Sequence, residues 1–174
     1  MPKSTERMLG TQLWLNLPSK DKMTKPKYRS ITKEDIPVVV EKGKKVHIIC
    51  GSYNETRGAM EADYVKALYL DVELAQGAEW SIETRYDDTL FVYILEGEAS
   101  FSKEIDRIIP QKHAILFNKG KKFAAKASDN GVRFLLMSGA PLKEPIAGGG
   151  PIVMNTKEEL ELAFKELDEN TFIK

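Results

Sequence analysis

Histidine and cysteine are both scarce in this chain of 174 residues: two histidines, His47 and His113, and one cysteine, Cys50. The histidines stand far apart, and one cysteine allows no Cys-x-x-Cys pair. The chain by itself therefore lacks the ligand spacing that a histidine- or thiolate-based metal site needs. A single cysteine also excludes an internal disulfide and fits a reducing compartment. Cys50 ends the apolar run Val46–Cys50 and reads as a buried, inert thiol. Neither sign of charge is in excess, with 26 Lys+Arg against 26 Asp+Glu. That balance removes any general pull toward nucleic acid or anionic membranes. No apolar run approaches the ~20 residues that span a bilayer. Met1–Gly10 is polar and charged, unlike a secretion signal. These absences predict a soluble, cytoplasmic protein with no membrane and no nucleic-acid partner.

What is present is a series of short apolar runs. Gln12–Leu17 (QLWLNL) reads as a strand that ends at Pro18. Between Lys20 and Lys45 come eight lysines and one arginine against four acids, interrupted by Pro26 and Pro37. This stretch reads as a solvated connector, with an anion-binding arm as the alternative. Ala67–Leu74 (ALYLDVEL) alternates strictly: Leu68, Leu70, Val72 and Leu74 on one face, Tyr69, Asp71 and Glu73 on the other. Leu90–Leu95, Ala99–Phe101, Ile105–Ile109, Ala114–Phe117, Lys122–Lys126 and Val132–Met137 continue the series. Glu-Gly, Pro, Asn-Lys-Gly and Asp-Asn-Gly signals separate them. Many short strands at regular spacing predict an antiparallel sandwich or barrel. One helix is expected near the end. Thr156 and Glu159 form a capping box, and Leu160, Ala163, Phe164 and Leu167 make a stripe that packs on the barrel.

One group of small β-barrels holds a metal with a recurrent spacing. It runs Gly, five residues, His-x-His, three or four residues, Glu, six residues, Gly. A second motif follows, Pro-x-Gly, two residues, His, three residues, Asn. Alternate residues of one strand share a face, so His-x-His aims two imidazoles inward, and the glycines permit tight turns. Here Gly77 and Gly97 fall in place, and Asn118-Lys119-Gly120 stands for Pro-x-Gly. The ligand positions hold Glu83, Arg85, Leu90 and Phe123, and Ala127 stands for the asparagine. The spacing is that of a cupin-type barrel, and the chemistry of its metal site is absent. Glu83 and Arg85 are the candidate ligand-binding residues, as an ion pair inside the barrel or at its mouth, or as a receptor for a small anion. Tyr69, Phe91 and Tyr93 are the aromatics considered beside them.

Three further strings, Thr11–Met23 (TQLWLNLPSKDKM), Ala140–Pro145 (APLKEP) and Gly150–Glu159 (GPIVMNTKEE), closely resemble the pirin family. Their order and spacing match pirins from about Gly10 onward. The resemblance implies an all-β, cupin-type double-stranded β-helix, or jelly-roll barrel, with an orphan N-terminal strand and a C-terminal α-helix. Pirins are bicupins, with iron in the first barrel and a second barrel that is normally metal-free. Residues 1–19 then correspond to a remnant strand of the first barrel, 20–45 to a linker, and 46–174 to the second barrel with its helix. The family's metal ligands would lie upstream of Met1, so no cofactor is expected on this chain.

The expected function is a non-catalytic, protein-binding or structural module. Leu13, Trp14, Leu15 and Leu17 would pack against a second copy in a homodimer, or against a complementary cupin chain, because an apolar strand with open edges needs a cover. Two alternatives stand beside it. One is a subunit of a quercetin 2,3-dioxygenase-like enzyme whose metal barrel comes from another chain. The other is small-anion or flavonoid binding in the degenerate barrel.

Overall fold

The computed structural model describes residues 9–102 and 107–173. Twelve strands, one α-helix and two single-turn 3-10 helices, Ser19–Asp21 and Lys33–Asp35, are found among them. In chain order the strands are β1 (Val38–Glu41), β2 (Lys44–Cys50), β3 (Ser52–Tyr53), β4 (Thr56–Arg57), β5 (Ala67–Leu74) and β6 (Glu79–Glu83). They continue as β7 (Thr89–Ser100), β8 (Ile108–Pro110), β9 (Ala114–Leu116), β10 (Lys122–Gly139), β11 (Ala147–Gly149) and β12 (Ile152–Met154), followed by α1 (Lys157–Asp168). The barrel is one eight-stranded sheet in the order β1-β2-β5-β10-β7-β8, with β6 added beside β10 and β9 beside β7. Every pairing of named strands in it is antiparallel. A cupin-type barrel is therefore what the alternating runs build.

Two long strands turn the sheet on itself. The first half of β10 pairs with β6, and its second half pairs with β5. β7 follows β10 through the bend, with its register broken between Ala127 and Val132. The Glu-Gly and Asp-Asn-Gly signals were expected to be turns between separate strands. Instead Glu96-Gly97 and Asp129-Asn130-Gly131 lie inside β7 and β10, at the corner where each bends. The local chemistry is the same, since a positive-φ residue serves a bulge as well as a turn. Gly97 has φ +71° and Gly131 φ +69°.

Period-2 alternation decides the interior. Leu70 and Val72 of β5, Val92 and Ile94 of β7, and Phe134 and Leu136 of β10 are fully buried and face one another across the register. The opposite side of the same strands carries charge. Arg133 lies across from Glu73 on one neighbour and Glu96 on the other. Its Nη2 and Nε donate to Asp71 Oδ2 and Oδ1 at 2.6 and 3.0 Å. That bidentate bond raises the guanidinium pKa. Asp71 is the buried charged residue of the described chain, and this fork satisfies it.

Beside it, His47 Nε2 lies 3.1 Å from Glu73 Oε1, and Lys45 is 3.5 Å from the other oxygen. Burial pushes the Glu73 carboxyl up, but His47, Lys45 and Arg133 together outweigh it and hold the group below the usual glutamate range. A lowered folded pKa contributes stability above the unfolded value of about 4.3, and that contribution is lost as pH falls through the folded value. Glu73→Gln should therefore flatten the acid limb of stability between about pH 5 and 3 in urea melts. An acid limb identical to that of the parent would refute this.

Three expectations need correction. Residues 12–17 pair with no strand among the described residues and run without regular structure, and Leu13 packs instead on the outer-face side chains Leu95, Leu135 and Met137. The stretch 20–45, expected as a connector, contributes β1 and the start of β2 to the sheet. The helix packs not on the barrel but on the β11–β12 hairpin, where Ile152, Met154 and Ala163 bury with Leu160 and Phe172. Its capping box forms as expected: Glu159 N–H donates to the Thr156 hydroxyl at 3.2 Å, and Glu159 Oε2 accepts from Thr156 N–H at 3.0 Å. Of the expected strand 105–109, residues 105 and 106 lie outside the described residues, Arg107 precedes β8, and residues 108 and 109 fall in it.

Cys50 is 6% exposed, and burial pushes its thiol pKa up. Its Sγ–H points to the Ala67 carbonyl at 3.4 Å. Native protein at neutral pH should label with a thiol reagent only after unfolding, since thiolate and access are both needed. Rapid labelling of folded chain would contradict this.

Candidate functional site

Inside the barrel, the four positions of the metal spacing part company. β6 alternates with Trp80 and Ile82 inward, so Glu83 falls on the outer side, opposite Lys122. Arg85 lies past the end of β6, with its side chain 76% exposed and Nε 3.9 Å from Asp88 Oδ1. Glu83 and Arg85 thus stand on the rim, and the ion partner of Arg85 is Asp88, not Glu83. Leu90 and Phe123 do point inward, at 6% and 4% exposure. Phe123 sits in a ring cluster with centroids 5.1 Å from Phe117, 5.8 Å from Trp80, 6.0 Å from Phe101 and 6.1 Å from Phe134. Trp80 Nε1–H donates to the Tyr53 hydroxyl at 2.9 Å, so the one polar end of the cluster is satisfied.

These side chains do not fit a metal ion. A guanidinium, an alkyl group and a phenyl ring are not ligands, and the remaining carboxylate faces outward. Among the described residues no group of three or more His, Cys, Asp or Glu is placed to hold one. A recess of about 280 Å³ remains at the mouth, floored by Phe101, Phe117 and Phe123 and edged by Arg85 and Lys119. Lys119 is engaged by Asp87 at 2.6 Å. The aromatics considered with Glu83 and Arg85 are elsewhere. Tyr69, Phe91 and Tyr93 lie on the outer face with Leu95, Leu135 and Met137. Strand alternation would have separated them from the interior set, since Tyr69 lies between the inward Leu68 and Leu70.

A second locus lies where the chain begins and ends. The three distinctive strings of the sequence meet there. Lys22 Nζ donates to Asn16 Oδ1 at 2.6 Å and to the Val153 carbonyl at 2.9 Å. Ser19 N–H and Asn155 Nδ2 both donate to Glu144 Oε2, at 2.8 and 3.1 Å. Asn155 Nδ2 also reaches the Pro145 carbonyl at 2.9 Å. This node ties residues 11–23 to the C-terminal hairpin, which no local reading of either string reveals. The pinned segment divides its apolar side chains. Leu13 packs on the outer-face cluster of Leu95, Leu135 and Met137. Leu15 and Leu17 line a groove of about 680 Å³ with Met23, Met60 and Phe172. Trp14 is 62% exposed and Leu15 49%. Of the four residues expected at a chain–chain contact, Leu13 is already committed within the chain, and Trp14 is the most open.

The fold has known counterparts. Residues 69–173 match the family model of the pirin C-terminal cupin domain. The pirin-like protein of Solanum lycopersicum is 34% identical over 169 residues, which is 95% of this chain and 57% of that protein. Pirin of Homo sapiens is 34% identical over 94% of this chain and 57% of its own length. The crystal structure of quercetin 2,3-dioxygenase from Acinetobacter baumannii superposes with a TM-score of 0.82 at 34% identity, covering 91% of this chain and 55% of that one. The chain thus spans just over half the length of these relatives. No helix of the described residues is long and apolar enough to cross a membrane. The domain match, taken with the barrel and with the three strings knitted at one node, makes this chain a member of the pirin family, corresponding to its C-terminal portion.

Proposed function

We propose that this chain is a metal-free, non-catalytic cupin module that acts by contact with another polypeptide. The observation that carries the first half is Phe123, where the barrel spacing calls for a histidine, packed at 4% exposure among four other aromatic rings. The second half rests on the pinned N-terminal segment, which holds Trp14 and Leu15 against water rather than in the core. Large apolar side chains held open in a group mark a contact surface. The partner is a second copy of the chain or a complementary cupin barrel. Protein purified after growth in iron-supplemented medium should carry metal far below one equivalent. Stoichiometric iron in a mononuclear site would overturn the reading. Light scattering should show self-association that Trp14→Ala weakens.

The likeness to the A. baumannii quercetin 2,3-dioxygenase supports a second reading, in which this barrel completes an enzyme whose metal-bearing barrel lies on other polypeptide. In that reading the isolated chain leaves quercetin unchanged, and turnover requires the complementary barrel. Oxygen uptake with quercetin by the isolated chain would contradict both readings. At the barrel mouth, the exposed Arg85 offers a small anion a surface contact, testable by thermal shift with inorganic phosphate.

A further inference from the structure

The charge balance of zero hides a strong separation. The connector between Lys20 and Lys45 carries nine cations against four acids, and the end of the chain, from Lys157 to Asn170, carries six acids against two lysines. The structure puts the two on neighbouring surfaces. The groove beside the N-terminal segment has an apolar floor, including Leu15, Leu17, Met23 and Met60, and its wall carries Lys22, Lys25, Lys27 and Arg29 against Asp63 alone. Phe172 and Ile173, just beyond α1, line the same groove. α1 itself faces the other way. Ala163 buries on its own hairpin, whereas Leu162 is 55% exposed, with Glu158 one turn before it and, one and two turns after it, Lys165 and Glu169, an ion pair at 3.9 Å.

We infer that the groove of one copy receives the outward face of α1 from a second copy, and that the exchange is reciprocal. This rests on the partner-binding reading above and names the partner and the surface. Three features carry it. The groove is apolar and basic, and α1 offers the exposed Leu162 on a helix whose acids outnumber its lysines, the complement expected for a helix lying in a groove. A chain's own α1 cannot supply that face, because its buried stripe holds it on the β11–β12 hairpin. Phe172, four residues past the end of α1, lines the groove, so a two-fold axis beside it would set each helix near the other copy's groove, closing the pair.

Lys27 and Arg29 are 3.3 and 2.9 Å from Asp63, which sets the wall and leaves Lys25, without an ion pair among the described residues, as the cation for an incoming acid. Complementary charge across such a contact sets register and makes association sensitive to salt.

The test is sedimentation velocity on the full chain. Dimer is expected at low ionic strength, with its dissociation constant rising about tenfold or more at ~1 M salt, where the Debye length is about 3 Å. Lys25→Glu in the groove and Leu162→Glu on the helix should each weaken the dimer about tenfold at unchanged melting temperature, as one such contact is worth about that factor. Both side chains are exposed, so neither change disturbs the fold. Leu116→Glu, on a strand away from both surfaces, should leave association as it is. A dimer indifferent to salt and to both variants, yet broken by Trp14→Glu, would overturn the helix-in-groove arrangement while leaving the partner reading standing. Monomer at every concentration would overturn this arrangement together with the homodimer that it requires, whereas iron at one equivalent would sink the metal-free reading alone.

Discussion

Phe134→Ala is expected to destabilise the chain by about 4 kcal/mol, within the ~3–5 kcal/mol range for a buried phenylalanine truncated in a core. Phe134 is fully buried, and its ring lies 5.7 Å from Phe101, 5.9 Å from Trp80 and 6.1 Å from Phe123. It stands on the bent strand β10, between Val72 on β5 and Ile94 on β7. The cavity left by its removal is therefore walled by backbone on both sides and by rings above, and little of it can collapse. Set against a typical total of about 5–15 kcal/mol, that loss approaches the threshold of folding. For a chain of this length each kcal/mol moves the melting temperature by about 2–4 °C, so a fall of roughly 10 °C is expected. Phe134→Leu, which keeps most of the volume, should lose much less. Leu116→Ala, at a side chain 73% exposed, should stay within about 0.5 kcal/mol of the parent. Thermal and urea melts of the three variants check the order. Equal losses for Phe134→Ala and Leu116→Ala would mean that the ring cluster does not hold the barrel.

The second large effect is at a residue with no side chain. A Cβ on Gly97 would lie 2.1 Å from the Gly131 carbonyl oxygen and 2.9 Å from its carbon, and the backbone there has φ +71°. Both obstacles are main chain, so no rotamer change relieves them. Gly97→Ala must force β7 and β10 apart at their shared corner, and a loss of about 3 kcal/mol or more is expected, the sum of clash and left-handed strain. Gly77 makes the contrast: it has φ +65° but open space around it, so Gly77→Ala should cost about 1 kcal/mol from the backbone alone. At Gly120 the nearest atom is the Lys122 carbonyl at 3.9 Å, and Gly120→Ala should be nearly neutral. The three glycines have equal weight as spacing in a sequence. Soluble yield and melting temperature should rank them 97, 77, 120 in falling cost, and a Gly97→Ala protein as stable as Gly120→Ala would refute the corner geometry.

That ranking illustrates what was legible. Ala67–Leu74 could be read residue by residue, because a half-buried strand writes its burial into a two-residue period. The capping box at Thr156 was legible for a similar reason, since all its partners lie within four residues. β3, β4, β6, β11 and β12 went unread because they are short and several are polar; β6 was noticed only through Glu83 at its end. Laying the His-x-His spacing over Glu83 and Arg85 placed them inward, whereas Trp80 and Ile82 had already claimed the inward phase of that strand.

The candidate surface was partly legible. The apolar string around Trp14 was visible as a segment in need of a cover, and the charge of the connector as an excess with no address. Its address depends on Lys22, Glu144 and Asn155, which lie 122 and 11 residues apart along the chain and meet only in the folded state.

By itself, then, the sequence determined the class of the fold, the strand faces, the helix start, and the absence of any histidine- or cysteine-rich cluster, since each depends on residue type and near neighbours. Tertiary structure alone decided that Phe123 packs at the heart of the ring cluster filling the barrel, that Glu83 and Arg85 are rim residues, and that the basic connector and the residues just past the acidic helix line one groove. Those are consequences of long-range pairing, in which one bent strand carries residues from two faces of the barrel and the chain's two ends are brought together.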